Sequence, residues 1–225
     1  MDSALFNLRN ALYLGNYQQA ISEAMSAGAS TERDFFMYRA LVEQGQYRAV
    51  MDEVGGQAPV SVQAVKLLAT YLAGISKDVV VMQLKEWLTD PAALENWQLV
   101  LVAATVFLHE GDHKEALKIS HQSTQMDVMG LVVQIYLQIN RPDLARKQVK
   151  AMQEQDDDAT LTKLAHAWTC LCEVGSDKYQ EALYEFQELG EKYNMSLMLL
   201  NAMAASHMHM GRFDEVRDEP QTTYV

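Results

Sequence analysis

The sequence predicts an all-α solenoid of stacked helical hairpins, and three observations lead there. A small residue, an aromatic two places on and an Ala or Val five places on recur together; amphipathic stretches flank each copy; and the copies return about every 33 residues. The clear copies are Gly15, Tyr17, Ala20; Gly45, Tyr47, Val50; and Gly211, Phe213, Val216. Gly111, His113, Ala116 and Asn140, Pro142, Ala145 keep the spacing without the aromatic, and Tyr179 with Ala182 keep the aromatic and the alanine, with Asp177 in the glycine place. With Ile75 as a worn copy, the anchors fall at 15, 45, 75, 111, 140, 177 and 211, in steps of 30, 30, 36, 29, 37 and 34 residues.

Each residue type in the motif has a physical reason. Glycine or asparagine ends the first helix because the chain must pass through a left-handed conformation that a β-carbon resists. The aromatic fills the wedge between paired helices and the alanine lets the second helix approach. One such hairpin cannot bury its apolar face, whereas a stack shares a continuous core. Period and chemistry together are those of a tetratricopeptide-like superhelix.

The elements follow in order. A first hairpin spans Ser3 to Leu14 and Asn16 to Ala27; a second, Thr31 to Gln44 and Gln46 to Val54, is ended by Gly55, Gly56 and Pro59. Ser61 to Ala73 and Lys77 to Leu88 form a third, with Ser76 placed to cap its second helix and Pro91 starting the next element. Ala92 to His109 pairs with Asp112 to Ser123, Asp127 to Ile139 with Pro142 to Gln153, and Asp156 to Val174 with Asp177 to Tyr193. Met195 to Met210 then meets only a short Arg212 to Arg217 before Pro220. Residues 1–217 therefore read as one solenoid of about six and a half hairpins and 218–225 as an irregular tail. The Gly-Gly pair also allows a small strand excursion near 54–61.

Composition narrows the function. At 225 residues and 49% hydrophobic the chain can bury a sizeable core, and with 4 prolines and 11 glycines, most at turns, no stretch reads as a linker. A formal charge of -12 repels a phosphate backbone, so nucleic acid is not an expected partner. The longest apolar run, Leu99 to Leu108, is half of what a bilayer span requires and reads as a buried helix. No direct membrane insertion is expected and no signal peptide is visible; with two cysteines, Cys170 and Cys172, the chain suits a reducing, cytoplasmic setting.

One column stands out. Three places before each anchor lie Leu12, Val42, Leu72, Leu108, Leu137, Val174 and Met208, all apolar. In tetratricopeptide stacks this position faces the concave groove. Either a partner covers such a stripe, since soluble chains seldom expose a large apolar patch, or tight winding buries it against the chain's own helices. The first alternative makes these seven residues the candidate partner-binding groove.

No catalytic or cofactor-binding constellation emerges, and an enzyme is not expected. His109 and His113 are four apart but Gly111 breaks the helix between them, so they are not a metal pair. His207 and His209, like Cys170 and Cys172, are two apart and point to different sides of a helix. Asp156, Asp157 and Asp158 read as caps at a helix start. Trp87, Trp97 and Trp168 lie within helical patterns and read as core.

Specific strings go beyond generic repeats. Leu5-Phe6-Asn7-Leu8-Arg9-Asn10 before Tyr13-Leu14-Gly15, Gln63-Ala64-Val65-Lys66-Leu67-Leu68-Ala69, Glu86-Trp87-Leu88-Thr89-Asp90-Pro91, Asp143-Leu144-Ala145-Arg146-Lys147-Gln148, Thr160-Leu161-Thr162-Lys163-Leu164-Ala165 and Met210-Gly211-Arg212-Phe213 occur in one order. Together they resemble the epsilon-subunit family of coatomer, the COPI vesicle coat, over nearly the whole chain to about residue 217. The resemblance implies a non-enzymatic coat subunit whose superhelix wraps the carboxy-terminal domain of the alpha subunit, and through it joins the rest of coatomer. Such a subunit is cytoplasmic, sits peripherally on Golgi membranes and COPI vesicles, and supports Golgi-to-ER and intra-Golgi transport. It also implies that a strand hairpin can occur among the early repeats, at Val54 to Ser61. The alternative is a generic tetratricopeptide adaptor for a cytosolic peptide or protein, which would clamp a terminal carboxylate with cations such as Arg9 and Arg39.

The family continues in further repeats where this chain turns to Asp218-Glu219-Pro220-Gln221-Thr222-Thr223-Tyr224-Val225. A shortened product is therefore expected, less stable and more prone to associate than a longer relative because Met195 to Met210 lacks a covering repeat. Thr223-Tyr224-Val225 has the form of a carboxy-terminal ligand for β-augmentation, though two loose positions arise readily by chance.

Overall fold

A computed structural model describes residues 3–215. Thirteen α-helices follow one another among them, with no strand: α1 Ser3–Tyr13, α2 Tyr17–Ser26, α3 Thr31–Glu43, α4 Tyr47–Glu53, α5 Val60–Leu72, α6 Lys77–Trp87, α7 Trp97–His109, α8 His113–Ser120, α9 Met126–Gln138, α10 Pro142–Gln155, α11 Thr160–Cys172, α12 Ser176–Tyr193 and α13 Leu197–His209. A 3-10 helix, η1 (Pro91–Glu95), precedes α7. The expected all-α superhelix of hairpins is what forms. The Thr223-Tyr224-Val225 end, the carboxy-terminal tail and Val216 lie outside the described residues.

The bend motif has one hydrogen-bonded form, repeated six times. The N–H groups of Gly15, Gly45, Gly74, Gly111, Asn140 and Gly211 donate to the carbonyls of Leu12, Val42, Tyr71, Leu108, Leu137 and Met208. The next N–H in each case reaches back five residues, as from Asn16 to Ala11 and from Asp112 to Phe107. This is the Schellman closure, and it requires the left-handed backbone found at all six positions, with φ between 56° and 77°. The third bend therefore turns at Gly74, not Ile75. One extra residue enters there: Ser76 is itself left-handed (φ 46°), makes no side-chain cap, and displaces the start of α6 by one place. The motif's Ala or Val, at Ala20, Val50, Val80, Ala116, Ala145 and Ala182, is buried in every described copy.

Three further boundaries differ from expectation. The helix expected from Ala92 is broken into η1 and α7, because Asn96 leaves the helical region and caps α7 through its side-chain oxygen, which accepts from the Leu99 N–H. The segment 54–59 makes turns, not strands: Gln63 Nε2 donates to the Gly56 and Ala58 carbonyls and Lys66 Nζ to that of Val54. The aspartate run lies ahead of α11 instead of capping it. The Asp156 carboxylate accepts from the Asp158 N–H and the Thr162 hydroxyl donates to the Asp156 carbonyl, so the run forms its own turn. The run Leu99 to Leu108 forms most of α7, buried nearly all round.

The first helices of successive hairpins pack side by side, α1 on α3, α3 on α5, α5 on α7, α7 on α9 and α9 on α11. Winding is tight enough that α1 returns to touch α11. Aromatics fill the space between them: Phe36 meets Tyr13 edge-on at 6.4 Å and Trp97 at 6.2 Å, while Phe35 meets Trp97 at 5.8 Å. Each fully buried phenylalanine contributes about 1.5–3 kcal/mol relative to an exposed one. The same winding puts Leu14, at the end of α1, into a core with Leu164 of α11 and Leu199 of α13.

Candidate partner-binding surface

Closure of the superhelix is polar as well as apolar. Asp127, at the start of α9, is 6% exposed and held from α1: Arg9 Nη2 donates to Oδ2 at 2.9 Å and the Tyr13 hydroxyl to Oδ1 at 2.6 Å. Arg9 also donates to the Tyr13 oxygen and lies over the Phe36 ring at 5.3 Å. Burial, and next the Asp127 charge, push the Tyr13 phenol well above its ordinary pKa, so it remains a donor at neutral pH. Between Arg9 and Tyr13 on α1, Asn10 accepts from the buried Thr160 hydroxyl at 2.7 Å and so joins α1 to α11.

This closure redistributes the column Leu12, Val42, Leu72, Leu108, Leu137, Val174 and Met208. Leu12 and Val42 are buried in the chain's own core, Val42 to 1% exposure. Leu72 and Leu108 are half-buried against that core, and Leu137 against the core between α9 and α10. Because the third bend turns at Gly74, the position equivalent to Leu12 is held by Tyr71, also buried. Val174 is 98% exposed, but in the loop after α11, which ends two residues earlier and without a Schellman closure. Met208, on α13, is 49% exposed. The two alternatives for the column thus divide it: winding buries its first two members against the chain's own helices, and exposure grows toward the carboxy-terminal helices.

Where α1 meets α9, α11 and the end of α12, a cleft of about 660 Å³ opens. Its apolar lining includes Leu5, Phe6, Met126, Leu161 and Tyr193, with Phe6 49% exposed. Asp156 and Asp158 also line it, as does Asn10, whose buried amide nitrogen has no hydrogen-bond partner. An apolar trough with a spare donor suits an extended or helical segment of another chain more than a small anionic ligand. The cleft is not legible in the sequence because its α1 wall lies more than 110 positions from the α9, α11 and α12 residues that face it. Its one sequence signal is Phe6, an aromatic on the polar side of α1.

The cations that a carboxylate clamp would need are already engaged. Arg9 is tied to Asp127, and Arg39 lies over the Phe35 ring at 5.8 Å. His109 ends α7 beside the Tyr71 ring at 6.1 Å, while His113 begins α8, so the turn separates them as expected. Among the described residues no helix is long and apolar enough to cross a membrane.

Comparison with known proteins agrees with the architecture. The model of the coatomer epsilon subunit family matches residues 1–221. A rice (japonica) protein, coatomer subunit epsilon-1, is 47% identical over 215 residues, covering 94% of this chain and 74% of that protein. The Arabidopsis thaliana coatomer subunit epsilon-1 is 45% identical over 216 residues with the same coverage. The Dictyostelium discoideum coatomer subunit epsilon is 31% identical over 229 residues, 95% of this chain and 76% of that protein.

Proposed function

The chain belongs to the coatomer epsilon subunit family, and from that premise we propose that it is a non-enzymatic subunit of the COPI coat, binding the carboxy-terminal domain of the alpha subunit. It acts in the cytoplasm, peripheral on Golgi membranes and coated vesicles, in Golgi-to-ER and intra-Golgi transport. The observation that carries the coat role is the family match across residues 1–221. What supports a large protein partner is the apolar cleft around Phe6 and Leu161, together with the half-buried and exposed later members of the column, Leu108, Leu137 and Met208. Against a terminal-peptide adaptor stands the engagement of Arg9 and Arg39 within the fold.

Co-expression with an alpha carboxy-terminal domain tests this directly. A complex that co-elutes in high salt is expected, since apolar contacts are not screened. Phe6→Glu should weaken it strongly, and Val174→Glu should not. Failure to co-elute, combined with tight binding of free carboxy-terminal peptides, would overturn the alpha-subunit reading.

A further inference from the structure

Away from the cleft, α11 and α12 bring together a donor set with the dimensions of a metal site. His166 and Cys170 are one turn apart on α11, so they share a face, and α12 opposes them with Glu181 and Glu185 at the same spacing. His166 Nε2 lies 3.7 Å from Cys170 Sγ and 3.5 Å from Glu181 Oε1. The imidazole nitrogen, the sulfur and the carboxylate oxygen all lie within 4.8 Å of one another. In a tetrahedral zinc site, with Zn–S near 2.3 Å and Zn–N and Zn–O near 2.0–2.2 Å, nitrogen and sulfur stand about 3.6 Å apart and nitrogen and oxygen about 3.4 Å. The two separations from His166 Nε2 agree with these, while the sulfur and the carboxylate oxygen, which stand about 3.6 Å apart in such a site, lie within 4.8 Å here, so that a rotation of the Glu181 side chain completes the set.

The surroundings also fit. The other imidazole nitrogen, Nδ1, faces Glu185 Oε1 at 3.5 Å, and neither Nδ1 nor Glu185 Oε2 has a hydrogen-bond partner although both are buried. A carboxylate behind a ligating histidine is the usual way of fixing ring orientation and raising its basicity. Glu181 is aimed by Lys178, whose Nζ donates to Oε2 at 2.6 Å and leaves Oε1 toward the imidazole. Cys170 is 3% exposed and unpaired, and clefts of about 270 and 380 Å³ reach the cluster from its two sides, leaving room for a water as fourth ligand. Without a metal, Nδ1 and Glu185 Oε2 have only ion-pair contacts, Nδ1 to Glu185 Oε1 at 3.5 Å and Oε2 to Lys163 Nζ at 3.8 Å; with one, the Nδ1–Oε1 pair can tighten into a hydrogen bond.

We propose that His166, Cys170 and Glu181 bind one zinc-class divalent ion, with Glu185 as the positioning residue behind His166. A nitrogen, sulfur and oxygen donor set favours zinc over magnesium or calcium. Binding releases the Cys170 thiol proton to solvent and cross-links α11 to α12. The inference stands on this geometry and not on the coat role.

Cobalt(II), which takes zinc's geometry and is coloured, is the probe. The full chain, stripped with chelator and kept reduced, should bind one equivalent of Co²⁺. A near-ultraviolet thiolate-to-cobalt band and intense visible bands of a tetrahedral centre should appear, and one equivalent of Zn²⁺ should bleach them. Cys170→Ser should remove the thiolate band, Glu181→Gln should weaken binding at least tenfold, and Glu185→Gln should weaken it about ten- to a hundredfold, the range for loss of a ligand-orienting group. Cys172→Ser should change nothing. Circular dichroism of each variant separates loss of metal from loss of fold, and Glu181 is exposed enough for its variant to fold if Cys170→Ser does not. Absence of the thiolate band in the folded parent chain, or a band lost in Cys172→Ser and kept in Cys170→Ser, would overturn the proposal.

Discussion

The Tyr13 hydroxyl and the Asp127 carboxylate, 114 residues apart, share a 2.6 Å hydrogen bond that ties α1 to α9 and closes the superhelix. Arg9 supplies the compensating charge, and its side chain remains about one-third exposed while that of Asp127 is almost wholly buried. The asymmetry sets the expected costs. Tyr13→Phe leaves a buried carboxylate short of one donor, and a loss of about 1–3 kcal/mol is expected. Arg9→Met should cost a similar amount, less than for a fully buried pair because solvent reaches the guanidinium. Urea unfolding of both single variants and the double should show coupling above about 0.5 kcal/mol; additive losses would mean that the three groups do not act as one lock.

The groove column divides into structural and surface members, and stability should divide the same way. Leu12 sits in the core, so Leu12→Ala is expected to cost about 2–4 kcal/mol. Met208 and Val174 touch little, so Met208→Gln and Val174→Gln should stay within about 0.5 kcal/mol. Denaturant midpoints with unchanged m-values check both. A large loss at Val174 would place it in a helix, where the sequence pattern had put it.

What the sequence made legible was local. The glycine and the small residue five places on report directly on the Schellman bend and the close approach of the second helix, so hairpins can be counted from them. Gly74 escaped because Ser76 adds a residue to its turn and shifts the pattern to Ile75. Val174 was misplaced because α11 ends early at a loop where Gly175, with φ 151°, replaces the usual bend. Closure was illegible altogether: nothing in Arg9 or Tyr13 points to Asp127, and winding depends on how each hairpin packs on the next. The His166 and Cys170 spacing is visible in the sequence, whereas the register that brings Glu181 opposite them is a property of the folded hairpin.

Two glycines should respond in opposite directions to the same substitution. Gly15 needs its positive φ of 77°, and an added Cβ would lie 3.2 Å from Met198 Cβ on α13. Gly15→Ala should therefore destabilise by about 1–2 kcal/mol from backbone strain alone. Gly190 lies within α12, and its added Cβ would crowd the flexible end of Met195, at 2.5 Å from Cε and 2.9 Å from Sδ, while meeting Leu199 Cδ1 at an ordinary 3.9 Å. Because Met195 is already 41% exposed, it can swing outward while the helix gains up to about 1 kcal/mol of propensity. Thermal melts followed by circular dichroism should show Gly15→Ala melting lower than the parent chain and Gly190→Ala at or above it.

Alkaline pH should loosen the fold through its buried phenols. Burial, with the hydrogen bond to Glu110 next, pushes the Tyr71 hydroxyl up to about 12, and Tyr13 is also raised well above its ordinary value. In the unfolded chain tyrosines ionise near pH 10. Between about pH 10 and 12 the folded state therefore holds more protons than the unfolded state, and stability must fall as pH rises through that window. Below pH 10 both states are protonated and these groups give no slope. Ultraviolet titration of the folded chain should show late-ionising tyrosines that join the early phase in urea. Tyr71→Phe should remove one late phenol and flatten the decline in unfolding midpoint between pH 10 and 11. A slope unchanged by Tyr71→Phe, with all phenols titrating together in the folded chain, would show that neither hydroxyl is sequestered by the closed superhelix.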